Sequence, residues 1–461
     1  MISSVTFPVE FRNFFTVLFF ILIFNANANS QDDFSKDSVD KKSAYLFQNK
    51  KWDELITFGN KALKRNAETY FLRVRLGAAY YEKENYFNAI PEFERAVEIG
   101  YMDEYVLEYL YNSYLMTGRT EDAAYIFSSF SESGKNRIKP LNNSFAENIS
   151  TGIEYEFSND ENRNANTDLD GNENKYGEQT ILRNSILFTT GLNQLPFDRM
   201  NIFYDYTYFN SGKTKVIMRN NEKANDDYKE IQNRFYNRFD FLAANGLVIS
   251  PAGHYISKKY NTIFGGIADS TLTDISVSEK EIDNENFILS LSAAEYYSVF
   301  KITLNGSFSY LNEEHQSQFG LSFRMYPLSN SSFYSNTSAV LHTENKISNL
   351  IVSQTLGVKA GKRIYIEAYA SAGVMKNYNE NNGFRVYNTG DVIRAKYGIS
   401  LDFRFSKNLN FNIGYSFRQS EKNYLTYIAR GLSRGVISYE QKFSKLNYNV
   451  NAIYAGAKFT F

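Results

Sequence analysis

The residues with reactive side chains are few and scattered. Three histidines, His254, His315 and His342, stand on separate segments, and the chain has no cysteine. That absence excludes a thiolate metal site, a cysteine nucleophile, a disulfide framework and a lipid-bearing N-terminal Cys. No grouping of His, Asp and Glu has zinc-ligand spacing, so neither a metal nor a cofactor is expected, and the chain reads as no enzyme. Asp160, Glu161, Asp168, Asp170 and Glu173 have the chemistry to hold calcium, but a solvated Asn- and Asp-rich loop accounts for them better. The informative charges come in rows. Glu154, Glu156, Asp205, Asp240, Glu367 and Asp402, with Arg183, Arg234, Arg238, Lys301, Arg324, Arg394, Lys396, Arg404, Arg418 and Lys458, occupy alternate positions of segments whose other positions are apolar. Ten basic against six acidic groups is a modest positive tilt, and rings of charge at close range set the selectivity of a pore. Facing charges on neighbouring strands also pair and so fill a wet interior.

The elements that would carry such rows are legible in the period. Along residues 299–310, Phe300, Ile302, Leu304, Phe308 and Tyr310 alternate with Lys301, Thr303, Asn305, Ser307 and Ser309. Along 393–405, Ile393, Tyr397, Ile399, Leu401, Phe403 and Phe405 alternate with Arg394, Lys396, Ser400, Asp402 and Arg404. A period of two over eight to twelve residues is a strand with one apolar and one wet face. Strands are predicted at 147–157, 180–190, 201–210, 231–243, 246–256, 286–296, 299–310, 316–327, 332–342, 349–359, 363–375, 391–405, 408–419 and 448–461. That makes fourteen, with a range of twelve to sixteen, because Pro251 weakens one and 423–443 has room for two more. Lengths near ten residues suit a tilted crossing of a bilayer better than a soluble sheet. Connections alternate between short turns at 406–409 and 360–362 and long polar loops at 158–178, 211–229 and 376–390, the pattern of outer-membrane barrels. With the apolar rows toward lipid, Arg234, Arg238, Lys301, Arg324, Glu367, Arg394, Lys396, Arg404 and Arg418 line the lumen.

Composition agrees. The 461 residues include 39 Phe, 36 Tyr and one Trp, and aromatic residues make up 16%, yet the mean hydropathy is −0.43. A helical membrane bundle is never so polar. The formal charge of −1, from 50 basic and 51 acidic groups, carries no nucleic-acid signature. At the start, Arg12 precedes an apolar run over 14–24 that gives way to NANANS, which reads as a signal peptide over 1–30, cleaved after Ala28 or Ser30. No later run is long and apolar enough for a membrane helix, so a spanning chain would have to cross as a closed barrel.

Between the signal segment and residue 138 the period is helical, and the sequence repeats every 34 residues. Trp52, Tyr86 and Thr120 fix the register; Leu55, Ala89 and Ala123 follow it, as do Ala62, Ala96 and Phe130. The middle copy, with Leu76, Gly77, Tyr80, Tyr86, Ala89, Phe93 and Ala96, resembles the tetratricopeptide repeat. That resemblance implies a short all-α solenoid of three repeats over 31–138, with a groove for a protein or peptide lined by Phe47, Gln48, Ala78, Tyr81, Glu82, Glu108, Asn112 and Leu115. Packing against the rest of the protein is the plainer role for the same residues.

The C-terminal sequence, with Gly456, Phe459 and Phe461, resembles the strand signal that outer-membrane proteins present to the barrel-assembly machinery. His315-Gln316-Ser317 is similar to the His-x-Ser of outer-membrane phospholipase, but Gln318 and Phe319 replace the Asn-Gly that follows there. The whole layout, a signal segment, a few repeats and then a barrel over 139–461, resembles the surface lipoprotein assembly modulators (Slam), the exopolysaccharide export porins and the YaiO-like group. It implies an outer-membrane protein of a Gram-negative bacterium whose periplasmic repeats recruit a partner or cargo for export or surface assembly. The alternative is a solute channel or structural barrel in which the repeats are a scaffold or plug.

Overall fold

The computed structural model describes residues 34–100, 103–138, 146–158, 175–219, 222–266, 276–388, 390–433 and 436–461. The expected signal segment and the acidic residues at 160–173 lie outside them. Seven helices come first among the described residues: α1 Lys36–Gln48, α2 Trp52–Lys64, α3 Tyr70–Glu82, α4 Tyr86–Ile99, α5 Glu104–Thr117, α6 Thr120–Ser128 and α7 Glu132–Ile138. Trp52, Tyr86 and Thr120 are the first residues of α2, α4 and α6. Local signals explain several ends. The Ser35 hydroxyl accepts from the Ser38 N–H before α1, the Asp103 carboxylate accepts from Tyr105 N–H at the start of α5, and Gly118 ends α5 in the left-handed region.

The chain divides into two compact units, Met1–Leu76 and Gly77–Phe461, and the division falls within α3. In the first, Val39, Leu46, Leu55, Phe58, Ala62, Leu72 and Leu76 are buried. Arg75 ties this unit together, donating to Ser43 Oγ at 2.8 Å and Asp40 O at 2.9 Å. In the second, α4 and α5 pack through Phe93, Ala96, Leu107 and Leu110. A Cβ on Gly77 would meet the Phe93 ring at 2.8 Å, so that position is restricted to glycine by space.

The second unit's sheet is a closed ring of fourteen antiparallel strands. In chain order they are β1 Asn148–Phe157, β2 Lys175–Phe197, β3 Met200–Arg219, β4 Glu222–Ala244, β5 Leu247–Gly266, β6 Ser276–Tyr297, β7 Phe300–Leu311, β8 Glu314–Met325, β9 Phe333–Glu344, β10 Ile347–Lys359, β11 Ile364–Met375, β14 Val392–Arg404, β15 Leu409–Ser433 and β16 Val436–Thr460. A separate two-stranded hairpin, β12 Tyr378–Glu380 and β13 Arg385–Tyr387, lies between β11 and β14. β1 closes the ring by pairing with both β2 and β16. Each of the fourteen segments read from the alternation corresponds to one strand of the ring.

Facing follows the alternation as expected. Ile302, Leu304 and Phe308 on β7, and Phe319, Leu321 and Phe323 on β8, are exposed on the outer face, while Ser309 and Gln316 are buried within. Three details depart from expectation. First, 211–229 is not a loop: β3 and β4 remain paired through Arg219↔Glu222, and the stretch 423–443 continues β15 and β16 instead of adding strands. Strands that project beyond lipid need ladder hydrogen bonds but no apolar face, so their polar sequence read as a loop. Second, Pro251 sits inside β5, where the ladder to β4 skips from Arg238↔Ala252 to Phe241↔Ile249; a residue with no N–H is tolerated at such a gap. Third, a register shift between Ile393 and Ala395 reverses the facing of β14's first residues. Ile393 is therefore buried with Met375, Tyr378 and Tyr387 instead of facing lipid, and Arg394 is the extra residue of the bulge.

Candidate functional site

The first residue of β1 and the last of β16 share one end of the barrel, the near end; the long extensions of β2 to β6, β15 and β16 form the far end. There the expected long loops are absent between β7 and β8 and between β9 and β10, each joined by a tight turn, at 312–313 and 345–346. Residues 376–388 fold back from the far end into the lumen as the β12–β13 hairpin. Its turn is built for this. Asn381, Asn382 and Gly383 have φ of 53°, 57° and 83°, and a Cβ on Gly383 would lie 3.2 Å from both Ile288 Cγ2 and Ser290 Oγ, so strain and space both call for glycine. The left-handed turn directs its carbonyls at the wall. Asn382 O accepts from Tyr236 OH at 3.2 Å and Ser290 Oγ at 2.7 Å, and Gly383 O accepts from His254 Nδ1 at 2.8 Å. Asn382 Nδ2 donates to Ser250 O at 2.8 Å.

Those partners stand on β4, β5 and β6, across the ring from the β11 and β14 strands that launch the hairpin. The flanks are held as well. Asn379 N–H donates to Gln318 Oε1 at 3.0 Å, Asn388 Nδ2 donates to Gln232 Oε1 at 3.2 Å, and Phe384 packs edgewise on Phe203 and Tyr236. Ion pairs complete the crossing: Arg385 with Glu154 at 2.5 Å, and Lys396 with Glu380 at 2.5 Å. The hairpin is thus bonded to the lumen wall on opposite sides.

At the near end, helices of the same unit sit on the barrel rim. Phe87 N–H donates to Ser329 O at 3.0 Å, and the Phe87 ring stacks on Tyr326 with centroids 4.3 Å apart. Asn330 Nδ2 donates to Glu84 O, and Ser331 Oγ to Met116 O, at 3.0 and 2.9 Å. On the β4–β5 turn, Gly246 N–H donates to Asp122 Oδ1 at 2.9 Å. Asp122 Oδ2 also takes Arg119 Nε at 2.8 Å, and the guanidinium lies over the rings of Tyr114 and Tyr296. Glu94, 3.5 Å from Arg119, is nevertheless pushed above the ordinary carboxylate range, because its burial outweighs Arg119 and the Tyr114 hydroxyl. Between this cap and the hairpin lies a cavity of about 1070 Å³, bounded by Tyr86, Leu115 and Met116 on one side and Phe384, Arg385 and Tyr387 on the other.

The residues expected in the lumen divide by partner. Arg238 pairs with Asp240, Arg394 with Glu421 and Arg418 with Glu156, at 2.9, 2.9 and 2.7 Å. Arg234 donates to Gln232 and lies over Phe209; Lys301 donates to the Tyr296 hydroxyl; Arg324 lies over Tyr334, whose hydroxyl donates to Glu367. Arg404 is exposed at the near end of the cavity.

The expected groove residues fall in both units. In the first, Phe47 meets Trp52 edge to face and Gln48 is exposed. In the second, Ala78 is fully buried, Tyr81 packs on Tyr86 and Tyr109, and Glu82 is exposed. Glu108 takes Arg137 at 3.1 Å, Asn112 Nδ2 donates to Glu108 O within α5, and Leu115 lines the cavity. In the last strand, Phe459 and Phe461 pack edge to face, and a Cβ on Gly456 would meet Asn412 Oδ1 at 2.4 Å. The hairpin and the Asp122 latch were not foreseen. An Asn-Asn-Gly turn between Tyr378 and Tyr387 was the available signal for the first; the second joins residues 124 apart in sequence and leaves no local mark.

No family model matches the chain, and no curated protein matches it. Among solved structures, the P. putida toluene transporter TodX is similar at 7% identity and a TM-score of 0.43, over 69% of this chain and 91% of that one. The translocator domain of autotransporter NalP from Neisseria meningitidis gives 9% and 0.29, over 76% of this chain and 99% of that one. The KdgM porin gives 10% and 0.27, over 51% and 96%. The assignment to the outer-membrane barrels rests on the chain's own closed ring of fourteen strands and its apolar outer rows.

Proposed function

We propose that this protein is a gated outer-membrane channel for polar solutes, held shut by its own hairpin in the lumen and its own helices at the near mouth. The observation that carries the reading is the hairpin's attachment to opposite walls, through Asn382 and Gly383 on one side and Lys396 on the other. The polar contacts exchange readily for water, and the apolar ones are confined to a few side chains, Tyr378, Val386 and Tyr387 among them, so the closure can be reversed. Both barrel termini lie at the near end and the long strand extensions at the other, which supports a periplasmic near end. The repeat-start positions of Trp52, Tyr86 and Thr120, with Leu55, Ala89 and Ala123 buried, support a tetratricopeptide-type array. No catalysis enters this reading.

A chain without cysteine allows a clean test. In Ser307→Cys/Asn379→Cys, which replaces a hydrogen-bonded pair between wall and hairpin, bridging with a short bis-maleimide should abolish solute flux into proteoliposomes. Unchanged flux after complete bridging would refute a moving hairpin.

A second reading is recruitment of a partner for export or surface assembly. It is favoured by the tyrosine cluster of Tyr81, Tyr105 and Tyr109, whose rings pack together while Tyr105 stays 45% exposed. A barrel that conducts only after a copurifying protein is added supports this second role; a barrel that opens with variants alone supports the first.

A further inference from the structure

The lumen's cations differ in what engages them. Deep inside, Arg385, Arg418 and Lys396 pair with Glu154, Glu156 and Glu380, and Arg234, Lys301 and Arg324 are engaged by Gln232, the Tyr296 hydroxyl and the Tyr334 ring. At the near mouth Lys359, Lys362, Arg363, Arg404 and Lys458 are all exposed, all line the cavity, and make no ion pair among the described residues.

Register sets these mouth residues in an arc. Arg404 N–H donates to Arg363 O at 2.8 Å, Arg404 is the partner of Asn410, and Asn410 is the partner of Lys458. Arg363, Arg404 and Lys458 therefore stand at one level of the wall formed by β11, β14, β15 and β16, within roughly 15 Å of one another at the usual strand spacing. Lys359 and Lys362 add two more cations on β10 and the β10–β11 turn. Two carboxylates, Asp402 on the wall and Glu84 on the cap, line this part of the cavity against five cations. Like charges on neighbouring strands repel, and the deeper cations named above each have a carboxylate, hydroxyl, amide or ring partner. The arc is left for a counter-ion from outside the chain.

The direction of the rows identifies the kind of counter-ion. Val358, Phe405 and Phe459, which alternate with Lys359, Arg404 and Lys458, are exposed and apolar on the outer face. The cations thus belong to the water-filled side. Two guanidinium forks and three ammonium groups match several carboxylate or phosphate oxygens at once. We propose that the arc is a binding site for a small, water-soluble, multiply charged anion, a tricarboxylate or a phosphate ester, captured at the mouth of the lumen. Onward passage rests on the channel reading; binding at the arc does not.

The test is equilibrium dialysis of radiolabelled citrate against the full chain in zwitterionic detergent at fixed ionic strength. Wild type should bind citrate, and Lys359→Gln/Arg363→Gln/Arg404→Gln/Lys458→Gln should weaken binding at least about tenfold. Lys61→Gln/Lys64→Gln, which removes exposed charge from α2, should leave it unchanged. Arg363→Lys/Arg404→Lys keeps the charge and should retain most of the affinity, so a folding defect in the quadruple variant is distinguishable from lost recognition. No citrate binding by wild type, or equal binding by the quadruple variant, overturns the proposal. A quadruple variant that loses only copurifying anionic phospholipid also overturns it, since the arc would then be a headgroup seat. Citrate binding without conductance in any variant would leave this site standing and sink the channel reading.

Discussion

Arg385, on the hairpin inside the lumen, places Nη2 2.5 Å from Glu154 Oε2 on β1, joining residues 231 positions apart. Glu154 is also next but one to Glu156, the partner of Arg418 on β15. The place where the ring closes, β1 between β2 and β16, is therefore also where the hairpin is anchored. Barrel closure and lumen obstruction share a strand.

Arg385→Ala should loosen the hairpin without unfolding the barrel. The pair is partly wet, with side-chain exposures of 38% and 14%, so its loss is set at about 1–2 kcal/mol, below the 3–5 of a fully buried pair. Planar-bilayer recording should then find the open state about 5–30 times more populated.

Asp122→Ala should release the cap. It leaves the Gly246 N–H without its acceptor and Arg119, 7% exposed, with only Glu94 at 3.5 Å. A cost of about 2–3 kcal/mol follows, read as faster proteolysis of the helices 77–138 at unchanged barrel strand content.

How much of this was legible depends on where each residue meets its partner. The alternation at 299–310 describes β7 because lipid and lumen impose opposite demands on neighbouring residues, and Ile302, Leu304 and Phe308 do face outward. The 34-residue register likewise anticipates the starts of α2, α4 and α6. The segment 376–390 read only as a polar loop, since Tyr378, Phe384, Val386 and Tyr387, which the hairpin packs against the wall, are too few and too interrupted by Asn, Glu and Gly to form a strand-length alternation. Ile393 was placed on the wrong face because one inserted residue, Arg394, inverts the row and no local feature marks the insertion.

Cap docking should weaken as pH rises. Burial raises the carboxyls of Glu94 and Glu121 above their ordinary value of 4.5. Their contribution is fully present below that value, where both folded and unfolded forms are protonated, and is lost as pH rises through the raised folded-state values. Protection of the helices from protease should fall over that window in wild type, and the fall should flatten in Glu94→Gln/Glu121→Gln.

Outer and inner rows should differ in tolerance. Leu321, 48% exposed on the lipid face of β8, should cost about 2–4 kcal/mol when changed to Arg. Ser322→Arg points into the lumen beside Asn336 and should cost much less. Refolding into phosphatidylcholine vesicles over a urea series measures both.

The central claim is that the chain itself closes the lumen. Its most direct test is planar-bilayer conductance of the full protein with residues 377–388 replaced by a short Gly-Ser linker, recorded beside wild type. The account predicts a wild type that is closed most of the time and an excised form with a sustained conductance several-fold larger. Equal conductance in the two, whether both open or both silent, would contradict it.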